Sequence, residues 1–262
     1  MDRATVLKAF ETNLWDRASF LAKSRKDAEV QDSQDLLVVD SCLPCKLFNT
    51  IGRSALHPRF GLDRIDAAIK RFRSKSAPFT WVLDPLSGHG EMEQTLKVPG
   101  LSCPEEEWVM VMPLDGTGNI PGNLPSGFDI KRVATKEQLD QFADVLASST
   151  TPPDENIKTF LTDTKDAAIA HNSRLRLYVG YVGETPTAIL EAFSAHGIIS
   201  FYGSAALASA RGKGYAGALL INALREAKKA GLRLASLQTP EAGRPIYERL
   251  GFKPVGRIAT CS

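Results

Sequence analysis

The sequence has little cysteine, little tryptophan and almost no net charge. Its 262 residues include four cysteines and three tryptophans, and its formal net charge at neutral pH is +2. Four scattered cysteines are too few for a disulfide scaffold. A nearly balanced charge argues against a dominant nucleic-acid-binding surface. We therefore predict reduced cysteines and no nucleic-acid partner.

Long apolar runs and a leader-like N-terminus are also missing. No stretch reaches the roughly 20 apolar residues that a membrane-spanning helix needs. The first residues, Met1 to Thr5, do not show the charged-then-apolar layout of a signal peptide. The sequence therefore predicts a cytoplasmic protein without a membrane partner.

Glycine, proline and asparagine are concentrated in residues 113–127. Such density is typical of a linker rather than of a helix or strand. A linker here predicts two domains of ordinary size, residues 1–120 and residues 126–262.

Hydrophobic periodicity predicts the elements of both halves. In the first half we predict helices at 6–23, 62–74 and 91–96 and strands at 36–40, 79–83 and 108–113. In the second half we predict helices at 136–147, 155–161, 215–229 and 241–250 and strands at 128–133, 174–182, 187–193, 197–206 and 232–237. Thr135 is the expected N-cap of the helix at 136–147.

The most informative stretch is a glycine-rich turn between the strand ending at Ala206 and the helix starting at Tyr215. Its sequence is Arg211-Gly-Lys-Gly-Tyr-Ala-Gly217. Glycines let a ligand approach the backbone, and the first amides of a helix lack intrahelical partners and carry positive dipole charge. The turn therefore predicts a site for a phosphate-bearing cofactor. Neither the P-loop pattern nor the dinucleotide fingerprint fits it.

A second motif, Ile246-Tyr-Glu-Arg-Leu-Gly-Phe252, follows after a strand. The two motifs together, in this order, resemble the GCN5-related N-acetyltransferase (GNAT) superfamily from about Phe128 onward. The resemblance implies an α/β fold of α+β type, with a mixed, mostly antiparallel sheet flanked by helices. The layout of the first half resembles a degenerate second copy, which would make the chain a tandem GNAT protein of two such domains.

The resemblance also implies an activity and its ligands. The chain would transfer acetyl from acetyl-CoA (coenzyme A), without a metal, to a primary amine of an acceptor that the sequence does not identify. The N-terminal domain would cover the acceptor site or mediate a homodimer. The cofactor-binding residues would be Ser204, Ala205 and Ala206 on the strand and Arg211, Gly212, Lys213, Gly214, Tyr215, Ala216 and Gly217 in the turn.

For catalysis, the resemblance assigns Tyr247 as the acid that protonates the departing thiolate. Glu191 is a candidate base, because it is the carboxylate in an otherwise apolar strand. A solvent-facing edge position for Glu191 and a chain of water molecules as base are alternatives. The chain departs from the family pattern at Thr239-Pro240, since Pro240 has no N–H for cofactor contact; Gly243 would allow close approach instead.

Two other functions stay open. The protein would be a non-catalytic acyl-CoA sensor if no base exists. Alternatively, Cys42 and Cys45 form a C-x-x-C pattern after a strand, which resembles the motif of a thiol-disulfide oxidoreductase. Trp15, Trp81 and Trp108 are expected in the core, since no basic stripe surrounds them.

Overall fold

The computed structural model describes residues 2–53, 61–86, 89–115, 120 and 124–262, so residues 116–119 and 121–123 of the predicted linker lie outside the described residues. Its helices are α1 (Arg3–Phe20), α2 (Leu62–Arg73), α3 (His89–Lys97), α4 (Lys136–Ala147), α5 (Asn156–Asp163), α6 (Lys165–Ile169), α7 (Tyr215–Lys229) and α8 (Arg244–Arg249). Its strands are β1 (Glu29–Asp32), β2 (Leu37–Asp40), β3 (Thr50–Gly52), β4 (Thr80–Leu83), β5 (Glu105–Pro113), β6 (Phe128–Arg132), β7 (Leu175–Val182), β8 (Thr185–Ala195), β9 (Ile198–Ala206), β10 (Leu234–Thr239) and β11 (Lys253–Cys261).

These elements form two compact units that alternate along the chain. Unit 1 consists of Met1–Val109, Gln238–Arg244 and Pro254–Ser262, and unit 2 of Met110–Leu237 and Pro245–Lys253. Two C-terminal segments thus belong with the N-terminal half. That residues 1–120 and 126–262 fold as independent domains stays a prediction.

Unit 1 contains a mixed sheet in the strand order β1-β2-β3-β4-β11. The last strand of the chain joins it, with Ala259 opposite Leu83 in antiparallel register. The amphipathic helix α2 buries Ile65, Ile69 and Phe72 in the same core cluster as Trp81. The sheet of unit 1 therefore gains a strand, β11, from the far end of the sequence.

One expectation about unit 1 is wrong. Cys103 and Cys261 form a disulfide across 158 residues of sequence, whereas the composition predicted reduced cysteines. The disulfide can form because β11 brings Cys261 next to Cys103 in unit 1. The neighbouring residues Ser102 and Ser262 form two reciprocal backbone hydrogen bonds there. Sequence spacing does not reveal this pairing.

Unit 2 contains the mixed, mostly antiparallel sheet that the resemblance implies. Strands β6, β7, β8 and β9 are antiparallel neighbours in that order, and β9 pairs with β10 in parallel. Helix α4 begins at the predicted Thr135 cap, which forms a reciprocal capping box with Gln138. Helix α7 has the predicted bounds and buries Leu219, Ala223 and Leu224.

Candidate active site

The candidate site lies in unit 2, where β9 leads through a short turn into α7. Gly212 and Gly214 have φ values of +75° and +81°, which residues with a side chain rarely adopt. Residues 211–214 are exposed. The sequence folds this way because glycine alone takes both positive-φ positions without strain, and the turn then aims the start of α7 at solvent.

The start of α7 is open for a ligand. Its first intrahelical bond runs from the Ala218 N–H to the Gly214 carbonyl at 3.0 Å, and no side chain of the described residues caps the helix. The amides of residues 215–217 therefore precede the intrahelical ladder. A Cβ added at Gly212, Gly214 or Gly217 would meet nothing within 4 Å among the described residues. This empty space fits a pyrophosphate held by backbone amides.

Tyr215 has a different position from its neighbours in the turn. Its ring stacks on Phe128 with 4.4 Å between centroids and 10° between planes. Phe128 in turn fills the space over Gly180, where an added Cβ would lie 2.1 Å from the Phe128 ring. Tyr215 thus packs the first turn of α7 against β6 and β7, and its side chain contacts the protein itself.

The strand predicted to hold the pantetheine arm pairs with β10 along only part of its length. Among the described residues, the parallel pairs of β9 with β10 run from Ile198–Leu234 to Phe201–Leu237. On the other side, Ala205 and Ala206 pair with Ile189 and Ala188 of β8. Ser204 is exposed and the two alanines are half-buried. Backbone groups at 204–206 are therefore placed to form a ladder with an extended ligand.

A bulge in β9 brings Glu191 to the same segment. The β8–β9 register shifts between Ile189 and Glu191, and Gly203 takes a φ of +51°. A Cβ at Gly203 would lie 3.6 Å from Glu191 Oε2. Glu191 is 8% exposed on a strand flanked by β7 and β9. The alternative of a solvent-facing edge position is wrong.

Tyr247 lies on the short helix α8, half-buried. Its ring packs edge-on against Phe252, with centroids 6.2 Å apart, and its carbonyl accepts the Phe252 N–H at 3.0 Å. The Tyr-x-x-x-Gly-Phe motif thus positions the tyrosine by folding back on itself. Both Tyr247 and Glu191 belong to unit 2, as do the turn and β9.

Gly243, predicted from the sequence to allow close approach of a ligand, has a role within its own loop. A Cβ at Gly243 would lie 2.2 Å from Thr239 Oγ1, so Gly243 leaves room for this buried hydroxyl. The hydroxyl of Thr239 donates to the Pro240 carbonyl at 3.2 Å. Gly243 is therefore required by the loop itself.

Cys42 and Cys45 do not have the environment of a redox pair. Cys45 is buried and Cys42 is exposed, and they are not bonded to each other. Desolvation and the neighbouring Asp40 carboxylate raise the pKa of Cys42, although Lys75 lies 4.0 Å from its Sγ. A redox-active thiol needs a lowered pKa, so this environment weighs against oxidoreductase chemistry.

Within the described residues, every helix is too short or too polar to cross a bilayer. No group of three His, Cys, Asp or Glu side chains is arranged for a metal ion in the part of the chain that the structure describes.

Comparison with known proteins identifies this unit. The model of the Acetyltransferase (GNAT) family matches residues 140–252, which contain the turn, Glu191 and Tyr247. Residues 140–252 of this chain belong to the GNAT family. A search of the curated proteins finds no sequence match to this chain.

Solved structures share the fold over most of the chain. A GCN5-related N-acetyltransferase from Kribbella flavida is 15% identical, with a TM-score of 0.68, covering 98% of this chain and 94% of that one. A second, from Sphaerobacter thermophilus, is 18% identical with a TM-score of 0.58, covering 88% and 81%. A tandem GNAT protein from the clavulanic acid pathway is 13% identical with a TM-score of 0.55, covering 87% and 78%. At these identities the likeness shows the GNAT fold alone, and the third of these structures is itself described as a tandem GNAT protein.

Proposed function

We propose that this GNAT protein transfers acetyl from acetyl-CoA to a primary amine within a ternary complex. The observation that carries the proposal is the open start of α7 after Gly212 and Gly214, together with the segment of β9 that lies beyond its pairs with β10 among the described residues. Amides 215–217 would hold the pyrophosphate, with Arg211 and Lys213 adding positive charge nearby. Residues 204–206 would pair with the pantetheine arm.

In the proposed reaction the amine nitrogen attacks the thioester carbonyl carbon and the carbon–sulfur bond breaks. Tyr247 donates its phenolic proton to the departing thiolate, since a phenol is protonated at neutral pH. Glu191, next to the bulge at Gly203, accepts the proton that the amine loses, directly or through water. A backbone N–H of β9 would stabilise the oxyanion of the tetrahedral intermediate.

The transfer is tested by incubating the protein with acetyl-CoA and a panel of amines. The panel includes a small alkylamine, an amino acid, a polyamine and a peptide with a free N-terminus, and mass spectrometry follows the added acetyl group. Mass spectrometry is preferable to thiol reagents, because the exposed Cys42 would itself react with them. We expect acetyl transfer to at least one class of amine.

Tyr247→Phe tests the assigned acid. It should lower turnover with little change in acetyl-CoA affinity, because the phenylalanine ring keeps the packing against Phe252. Unchanged turnover would remove Tyr247 from the mechanism. Tight binding without transfer to any amine would favour the non-catalytic sensor over the enzyme.

A further inference from the structure

Unit 1 contains an open cavity of about 470 Å³ that the proposed acetyl transfer does not use. Its wall is formed by the start of α1, the strand β5 and the first half of β11. The lining residues that matter for its chemistry are Arg3, Pro85, Trp108, Pro254, Val255 and Arg257. All of them belong to unit 1.

The positive charge of this cavity that carboxylates leave uncompensated comes from Arg3. Its wall carries the guanidinium groups of Arg3 and Arg257, and the Arg257 group is ion-paired with Glu106 and Glu241. Arg3 is exposed, and its Nε donates to the Val255 carbonyl at 2.8 Å. Its other guanidinium nitrogens have no partner within the described ranges. Arg3 is therefore fixed at one nitrogen and keeps its terminal N–H donors for a ligand.

Arg257 is held in a defined position beside it. Its guanidinium carbon lies 3.9 Å from the centroid of the Trp108 ring. Its two terminal nitrogens contact Glu106 at 3.1 Å and Glu241 at 3.5 Å. Because this guanidinium is already held in place, less side-chain conformational entropy would be lost when a ligand binds beside it.

Trp108 itself is not the core residue that the sequence predicted. Its ring is half-exposed, and the Arg244 guanidinium also lies over it at 4.8 Å. Its Nε1 donates to Glu241 Oε2 at 2.6 Å, which sets the orientation of the ring. The other two tryptophans, Trp15 and Trp81, are buried as expected.

We propose that this cavity is a binding site for a small organic carboxylate with an apolar body. The terminal donors of Arg3 would bind the carboxylate through charge-assisted hydrogen bonds, while Arg257, ion-paired with Glu106 and Glu241, would form the wall beside it. Pro85, Pro254 and Val255, with the exposed part of Trp108, would contact the apolar body. The N-terminal unit would then carry a ligand site of its own, independent of acetyl-CoA.

The first test compares benzoate with its uncharged isostere benzamide by calorimetry on the full chain. Benzoate should bind and benzamide should not, and Arg3→Gln should weaken benzoate binding by about tenfold or more, since charged hydrogen bonds are lost. Arg73→Gln is the matched control, because Arg73 is another exposed arginine of unit 1 that donates to one backbone carbonyl, that of Pro99. Equal binding of both ligands, or no benzoate binding, would overturn the proposal.

Tryptophan fluorescence gives a second readout that needs no organic ligand. Trp15 and Trp81 are 2% and 0% exposed, so a dissolved quencher reaches mainly Trp108. If the cavity concentrates anions, iodide should quench more strongly than caesium, and Arg3→Gln should lower the iodide quenching constant by about twofold while that of neutral acrylamide stays unchanged. Iodide quenching that does not respond to Arg3→Gln would contradict the anion site.

Discussion

Helix α7 offers a matched pair of glycines that separates ligand binding from backbone strain. Gly214 precedes its first turn with φ +81°, and Gly231 follows its last turn with φ +76°. An added Cβ would meet nothing within 4 Å at either position. Alanine should therefore cost the same backbone strain at both ends of the helix, and only Gly214 lies at the proposed pyrophosphate site.

The expected magnitudes follow from this equivalence. A left-handed conformation costs an alanine roughly 1–2 kcal/mol, and the stiffer unfolded chain offsets part of it, so each variant should lose about 1 kcal/mol of stability. That loss corresponds to a fall in melting temperature of about 2–4 °C. Gly214→Ala should in addition weaken acetyl-CoA binding by about tenfold or more, because its methyl group displaces charge-assisted bonds to the amides. Gly231→Ala should leave the affinity unchanged.

Thermal melts and calorimetry on the same three proteins measure both quantities. Equal losses of stability with a selective loss of affinity at Gly214 would support the site. If Gly214→Ala binds acetyl-CoA as tightly as Gly231→Ala, the pyrophosphate is not held at this turn.

Three further predictions concern stability. Phe128→Ala should lower the unfolding free energy by about 3–5 kcal/mol, because it leaves a cavity beneath Tyr215; a loss under about 1 kcal/mol in denaturant titration would contradict the packing described. Burial and the hydrogen bond with Asp84 raise the pKa of Glu11 from its ordinary 4.5 to about 7. Between these two pH values, the folded state therefore keeps a proton on Glu11 that the unfolded state releases. Stability should therefore fall as pH rises through that range, and Glu11→Gln should remove the slope in melts across pH. A reductant should lower the melting temperature of the wild type but not of a Cys103→Ala, Cys261→Ala double variant; equal shifts would argue against the disulfide.

Local signals in the sequence predicted the elements that position the candidate site. The bounds of α7 were confirmed because Gly214 and Gly231 mark its ends and its apolar face is continuous. The α4 bounds were confirmed because Thr135 caps it and Gln138 completes the capping box. Both signals act within one turn of helix, so they can be read without knowledge of the fold.

Features that depend on distant segments were missed. Strands β1 and β3 have four and three residues, too few for a period to be recognised. The disulfide requires β11 to return to unit 1, and the position of Glu191 depends on a bulge that follows from the positive φ of Gly203. The half-exposed Trp108 was also missed, because its partners Glu241, Arg244 and Arg257 lie more than a hundred residues away in sequence.

Calorimetry of acetyl-CoA on the intact protein tests the central claim most directly, with NADPH as a phosphate-bearing control that lacks pantetheine. The account predicts saturable binding of one equivalent of acetyl-CoA per chain and no competition by NADPH. Absence of saturable acetyl-CoA binding would contradict it, and would leave the open turn before α7 as a structural feature only.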